Sequence, residues 1–228
     1  MLVRSQRAGM GEIVNAFLLV FAALFPVVNP LGGAPIFLSL TQGCTKQERE
    51  QLARGVAFNG FWLLLGSLLF GSEILEFFGI TIPVVRVAGG LLVTAMGWKL
   101  LSEGTAPPER VDVHKQTKPS QINDSFYPLT LPLTVGPGSI SVALTIGSHR
   151  PANEATIKTF MLIAAAILGL VAVAATIYVC YRFAAQLAKI LGTVGINVLV
   201  RLSAFILICI GIQIGWSGVS ALVATLGH

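Results

Sequence analysis

Long apolar runs, cut by short polar stretches, make up almost the whole of this chain. The pattern gives six candidate spans, over residues 12–41, 52–73, 80–101, 126–148, 156–181 and 194–222. Each is long enough to cross a hydrocarbon core as a helix, which takes roughly 20 apolar residues. One long polar stretch, 102–124, holds Pro107, Pro108, Glu109, Arg110, Asp112, His114, Lys115, Lys118 and Asp124. It reads as a soluble linker between two halves of three spans. The expected fold is all-α: a polytopic membrane protein with a single membrane domain, repeat 1 over 12–101, the linker at 102–124 and repeat 2 over 125–222.

The two halves share a plan. Each opens with a span interrupted by proline and glycine, continues with an unbroken one, and closes with a span carrying an arginine near its start. The closing spans read Arg86-Val87-Ala88-Gly89-Gly90-Leu91-Leu92 and Arg201-Leu202-Ser203-Ala204-Phe205-Ile206-Leu207. An odd number of spans per repeat makes the second copy enter from the opposite face, which is the inverted construction of many secondary transporters.

The interruptions carry the candidate chemistry. The first is Phe25-Pro26-Val27-Val28-Asn29-Pro30-Leu31-Gly32-Gly33-Ala34-Pro35, with its break expected at 29–33. The second is Pro128-Leu129-Thr130-Leu131-Pro132-Leu133-Thr134-Val135-Gly136-Pro137-Gly138-Ser139, with its break expected at 134–138. Proline removes a backbone donor and glycine loosens the helix. At membrane depth such backbone survives only where protein or a wet cavity surrounds it. A helix that restarts there offers N–H groups and partial positive charge to a carboxylate, while the preceding carbonyls suit a cation. The candidate substrate-binding residues are Asn29, Pro30, Gly32 and Gly33, with Thr134, Gly136, Pro137, Gly138 and Ser139. One break alone is ordinarily a packing kink; two in matching positions of two half-chains point to a site.

Composition agrees with a membrane protein: 54% of the 228 residues are hydrophobic and 11% charged, against about 25% charged in a soluble domain. The net charge of +5 then reflects loop asymmetry rather than nucleic-acid binding. The face holding the linker has nine Lys and Arg (Lys46, Arg49, Arg54, Lys99, Arg110, Lys115, Lys118, Arg182, Lys189), and the other has four (Arg4, Arg7, Arg150, Lys158). Cytoplasmic loops are the richer in Lys and Arg, so both termini are expected outside and the linker inside. The N-terminal Arg4 and Arg7 ahead of an apolar run resemble a signal peptide, but the run continues to Leu40 and reads as the first span.

Arg86 and Arg201 fall inside spans, where a charge is costly unless the side chain reaches the interface or a partner. They read as gating or structural residues, and Asn197 and Asn59 as packing hydrogen-bond groups. Three scattered cysteines show no metal or disulfide spacing. No span holds an aspartate, and Glu73 and Glu76 sit at a span end, so a coupling ion would be sodium rather than a proton. No cofactor, no catalytic group and no metal site is expected. A phosphate-binding GxxxxGK[ST] loop and the HExxH and GxSxG patterns are absent from the sequence, which argues against ATP-driven transport and intramembrane hydrolysis. Gly211-Ile212-Gln213-Ile214-Gly215 marks a face for close helix packing or for a homo-oligomer.

These residues resemble the MarC family of bacterial inner-membrane proteins. The resemblance is carried by Val28-Asn29-Pro30-Leu31-Gly32 with Pro35-Ile36-Phe37, and by Phe78-Gly79-Ile80 with Arg86-Val87-Ala88-Gly89-Gly90. In the second half it is carried by Pro128 to Leu133 with Gly136-Pro137-Gly138, and by Gly195-Ile196-Asn197-Val198 with Arg201. It implies a six-span transporter in the bacterial inner (plasma) membrane, with glycine or alanine as examples of its solute. The function expected is secondary transport of a small polar solute. The alternative is a membrane scaffold acting through protein partners, which would tolerate Gly32→Val and Gly138→Val where packing allows.

Overall fold

The computed structural model describes residues 2–103, 125–148 and 156–226, so the linker from residue 104 onward lies outside the described residues. Every described element is helical. They are α1 (Leu2–Val28), α2 (Pro30–Leu40), α3 (Lys46–Phe77), α4 (Ile82–Glu103), a wide-turned segment (Ser125–Thr134), α5 (Pro137–Ser148), α6 (Thr156–Arg182) and α7 (Ala184–Leu226).

Local sequence sets the boundaries. Thr45 and Glu48 form a capping box at the start of α3: Glu48 N donates to Thr45 Oγ1 and Thr45 N donates to Glu48 Oε2. Tyr127 and Leu131 are extended because each precedes a proline, whose ring clashes with an α-helical neighbour. Around them the turns widen, and past Leu131 the Val135 N donates five residues back to Thr130 O at 2.8 Å. Gly192 (φ 62, ψ −177) breaks α7 where a side chain would be strained, close to the start expected for the last span at 194.

Five helical stretches are long and apolar enough to cross a membrane: Gly11–Leu40, Lys46–Gly71, Ile82–Ser102, Phe160–Arg182 and Ala184–Thr225. The sixth is the pair Ser125–Thr134 and Pro137–Ser148, bent by 73°. Packing shows that this bent pair crosses rather than turning back. A Cβ on Gly55 would meet Ser125, one on Gly60 Val135, and one on Gly71 Leu144. From Gly55 to Gly71 is sixteen residues of α3, about 24 Å at the helical rise, and the pair follows it throughout in the same direction.

The closing helices α4 and α7 run antiparallel with their backbones in contact. Gly218 lies against Pro83 and Val87, Gly90 against Gly211 and Gly215, and Gly97 against Ala204 and Ile208. Small residues permit this approach, and dispersion between the backbones replaces the hydrophobic drive that lipid does not supply. The Gly211–Gly215 spacing is therefore used inside one chain. Elsewhere α1 packs on α6 as the bent pair packs on α3, and α2 packs on α7 as α5 packs on α4. Exchanging the two halves leaves this set of partners unchanged, as expected for three-span units of opposite sense. Six crossings place Leu2 and Leu226 on one face, called here the terminal face, and Glu103 and Ser125, which flank residues 104–124, on the other, the linker face.

Gly90→Ala tests the α4–α7 seam, because its methyl would stand 2.6 Å from Gly211 O. Overpacking of this kind costs about 1–3 kcal/mol, read as a lower unfolding midpoint in detergent. Gly66→Ala on α3 meets nothing within 4 Å and should leave that midpoint unchanged or raise it.

Candidate functional site

The first interruption is one residue wide. Asn29 adopts a left-handed conformation (φ 48, ψ 57), which asparagine tolerates better than most residues. Pro30 then opens α2, where its missing N–H leaves no bond unmade. Hydrogen bonding runs almost unbroken across the step. Asn29 N donates to Phe25 O and Gly33 N donates to Asn29 O, both at 2.9 Å. Gly32 N donates to Asn29 Oδ1 at 3.1 Å. Open N–H donors were expected here; instead the asparagine itself occupies the amides of Gly32 and Gly33.

The second interruption is wider, and its carbonyls are met by hydroxyl groups. Thr130 Oγ1 donates to Ser125 O at 2.6 Å, Thr134 Oγ1 to Leu129 O at 2.8 Å, and Ser139 Oγ to Gly136 O at 2.9 Å. Asn59 Nδ2 donates to Ser125 Oγ at 3.2 Å, tying the segment to α3. Ser141 Oγ donates to Val85 O at 2.9 Å, tying α5 to α4. Among the described residues no side chain caps the first turn of α5, so the amides of Gly138 and Ser139 face the bend.

Both interruptions meet at Tyr181, in the last turn of α6, a residue that sequence reasoning passed over. Its side chain is fully buried and stacks on Phe37 of α2, with ring centroids 4.5 Å apart and planes 17° from parallel. Its hydroxyl lies 2.8 Å from Thr134 Oγ1. Thr134 already donates to Leu129 O, so in this pair the tyrosine donates and the threonine accepts. A Cβ on Gly33 would stand 2.6 Å from the same hydroxyl, so glycine at 33 makes room for the phenol. Gly60, near the middle of α3, packs against Val135 and Ile177, which flank this contact. Tyr181 therefore closes the gap between the two interrupted spans inside the bundle, toward the linker-side end of α6.

The remaining predicted residues are distributed as follows. Pro30, Gly32, Gly33, Thr134, Gly136, Gly138 and Ser139 are buried, Asn29 is half-buried, and Pro137 is exposed. Gly136 packs on Met96, and Gly138 on Val93. A Cβ at Gly32 would run into the Asn29 side chain and one at Gly138 into Val93, so valine at either position disrupts packing whatever the function. Arg86 is half-buried in the second turn of α4. Arg201 and Asn197 are exposed, and the antiparallel register sets Arg201 level with the last turn of α4. The arginines thus lie near opposite faces, on the order of 20 Å apart along the helix axis, and cannot belong to one midplane site. A shallow cavity of about 550 Å³ lined by Glu76, Thr81 and Ser148 among others opens at the terminal end of α3, away from Tyr181.

Removing the Tyr181 hydroxyl tests whether that contact carries stability. Tyr181→Phe keeps the Phe37 stacking and leaves Thr134 bonded to Leu129 O. Inter-helical hydrogen bonds in membranes average about 0.6 kcal/mol, so the unfolding midpoint should fall only slightly. Tyr181→Ala opens a cavity and should cost about 3–5 kcal/mol, by analogy with other large aromatic truncations.

Comparison with known proteins agrees with this architecture. The family described as MarC family integral membrane protein matches residues 14–223. The UPF0056 membrane protein YvbG of Bacillus subtilis is 32% identical over 209 residues, covering 91% of this chain and 95% of the relative. A UPF0056 membrane protein of Methanocaldococcus jannaschii is 30% identical, covering 89% and 95%. The UPF0056 inner membrane protein MarC of Salmonella typhimurium is 28% identical, covering 95% and 99%. No solved structure matches the chain. Six crossings, two interrupted spans and a family match over nearly the whole length lead to one conclusion: the chain belongs to the MarC family of integral membrane proteins.

Proposed function

We propose that this protein is a secondary transporter of a small polar solute, with small neutral amino acids such as glycine and alanine as the solute class. One observation carries the reading: two interrupted spans of opposite sense meet at a single buried hydroxyl inside the bundle. In other transporters such discontinuous helices hold the solute between them. In this reading the solute carboxylate takes the amides of Gly138 and Ser139 at the start of α5. Its ammonium replaces the Tyr181 donor at Thr134 and shares the Leu129 carbonyl. Tyr181 must swing away for this, so the arrangement described is a closed one.

The same reading carries the rest of the assignment. Nine Lys and Arg against four on the two faces favour a cytoplasmic linker and external termini. A relative named as an inner membrane protein favours that membrane here. Sodium is the preferred coupling ion, since hydroxyls and carbonyls at the bend suit it and no aspartate lies in a described span. A homo-oligomer would use another face than Gly211–Gly215, which α4 covers. The scaffold alternative draws on the internal satisfaction of the hydroxyls at the bend.

Uptake and counterflow of labelled glycine, alanine and serine in proteoliposomes, with and without a sodium gradient, separate the two. A transporter gives saturable counterflow with at least one of them. Gly33→Ala, whose methyl would press on the Tyr181 hydroxyl, should lower that flux about tenfold, the effect of roughly 1.4 kcal/mol of misfit. No flux with any of the three favours the scaffold.

A further inference from the structure

We propose that the first turns of α3 form a clasp that closes the linker face over Tyr181. Arg49 and Glu50 are neighbours in sequence but reach different helices. Arg49 Nε donates to Thr41 Oγ1 at 3.2 Å and its Nη2 to Thr41 O at 3.0 Å, which holds the C-terminal end of α2. Glu50 Oε1 accepts from Arg182 Nη2 and from the Tyr178 hydroxyl, each at 3.1 Å, which holds the last turn of α6. Arg182 Nη1 completes the triangle by donating to the Tyr178 hydroxyl at 2.8 Å, with its guanidinium 5.6 Å from the Tyr178 ring centroid.

The two helices so tied are the ones that hold the buried phenol, through Phe37 on α2 and through Tyr181 itself on α6. Arg182 follows Tyr181 directly in the chain, so a tilt of α6 that parts Arg182 from Glu50 also moves the phenol. The strength suits a reversible latch. The side chains of the pair are 42% and 29% exposed, so water screens the attraction. Apolar packing at this position would hold the walls without the option of wetting and release. The role of the clasp as a gate rests on the transport reading above; its existence as a closure does not.

The test is thiol accessibility in nanodiscs, where both faces meet the reagent. Full-length protein carrying Cys180→Ala and Cys209→Ala keeps Cys44, which is buried in the turn between α2 and α3. Glu50→Gln and Arg182→Gln should each speed alkylation of Cys44 by a charged maleimide about fivefold, the shift expected from an exposed pair at the upper end of its range. The exchanged pair Glu50→Arg with Arg182→Glu should return the rate to near that of the parent. Unchanged rates in the single variants overturn the clasp, as does an exchanged pair no slower than the singles. Solute flux with unchanged alkylation removes the clasp and leaves the transporter. Faster alkylation without flux keeps the clasp and removes the transporter.

Discussion

A bilayer interior offers no partner to a backbone amide or carbonyl, so any break in a spanning helix must be closed by the protein itself. The two breaks here are closed in different ways. Asn29 spends one residue in a left-handed conformation and covers the exposed turn with its own side chain and carbonyl. The second break frees more backbone, and Thr130, Thr134 and Ser139 each turn a hydroxyl onto a carbonyl of their own segment. Tyr181 then joins the two by donating to Thr134 while lying in the space that Gly33 leaves. The buried polar side chains at this junction are all hydroxyls, those of Ser125, Thr130, Thr134, Ser139 and Tyr181.

The same constraint shapes the rest of the bundle. Lipid tails do not drive apolar helices together, so contact must come from close approach. Gly90, Gly97, Gly211 and Gly218 let α4 and α7 touch backbone to backbone along their length. Gly55, Gly60 and Gly71 make room on α3 for side chains of the bent span, Gly147 meets the backbone of Leu68, and Gly169 lets α6 approach Phe17 and Val20 of α1. The partner pattern survives exchange of the two halves, which sets α2 and the wide-turned segment ahead of α5 in opposed senses beside one shared phenol.

Much of the fold is legible in the sequence. Apolar runs near 20 residues locate the spans, Asn29-Pro30 and Gly136-Pro137 locate the restarts, and three spans per half require the inversion. That inversion also implies that Arg86 and Arg201 lie near opposite faces, as the register of α4 and α7 shows. The site was less legible. Pro and Gly announce that a helix breaks, but they do not say which side chains will close the gap. Tyr181 sits in an otherwise apolar run, and its one signal is that a buried phenol needs a partner for its hydroxyl. Its partner is forty-seven residues away at Thr134. The contacts of Glu50 with Tyr178 and Arg182 span a still longer separation, which only the packing of α3 on α6 reveals.

The central claim is that a solute enters between the interrupted spans and displaces the Tyr181–Thr134 contact. The most direct measurement is protection of a thiol placed at that contact, in Thr134→Cys protein lacking its native cysteines. A small uncharged reagent should modify this thiol slowly, and saturating glycine or alanine should slow it further, while a thiol at the lipid-facing position 209 shows no such effect. Equal rates at position 134 with and without each solute would contradict the account.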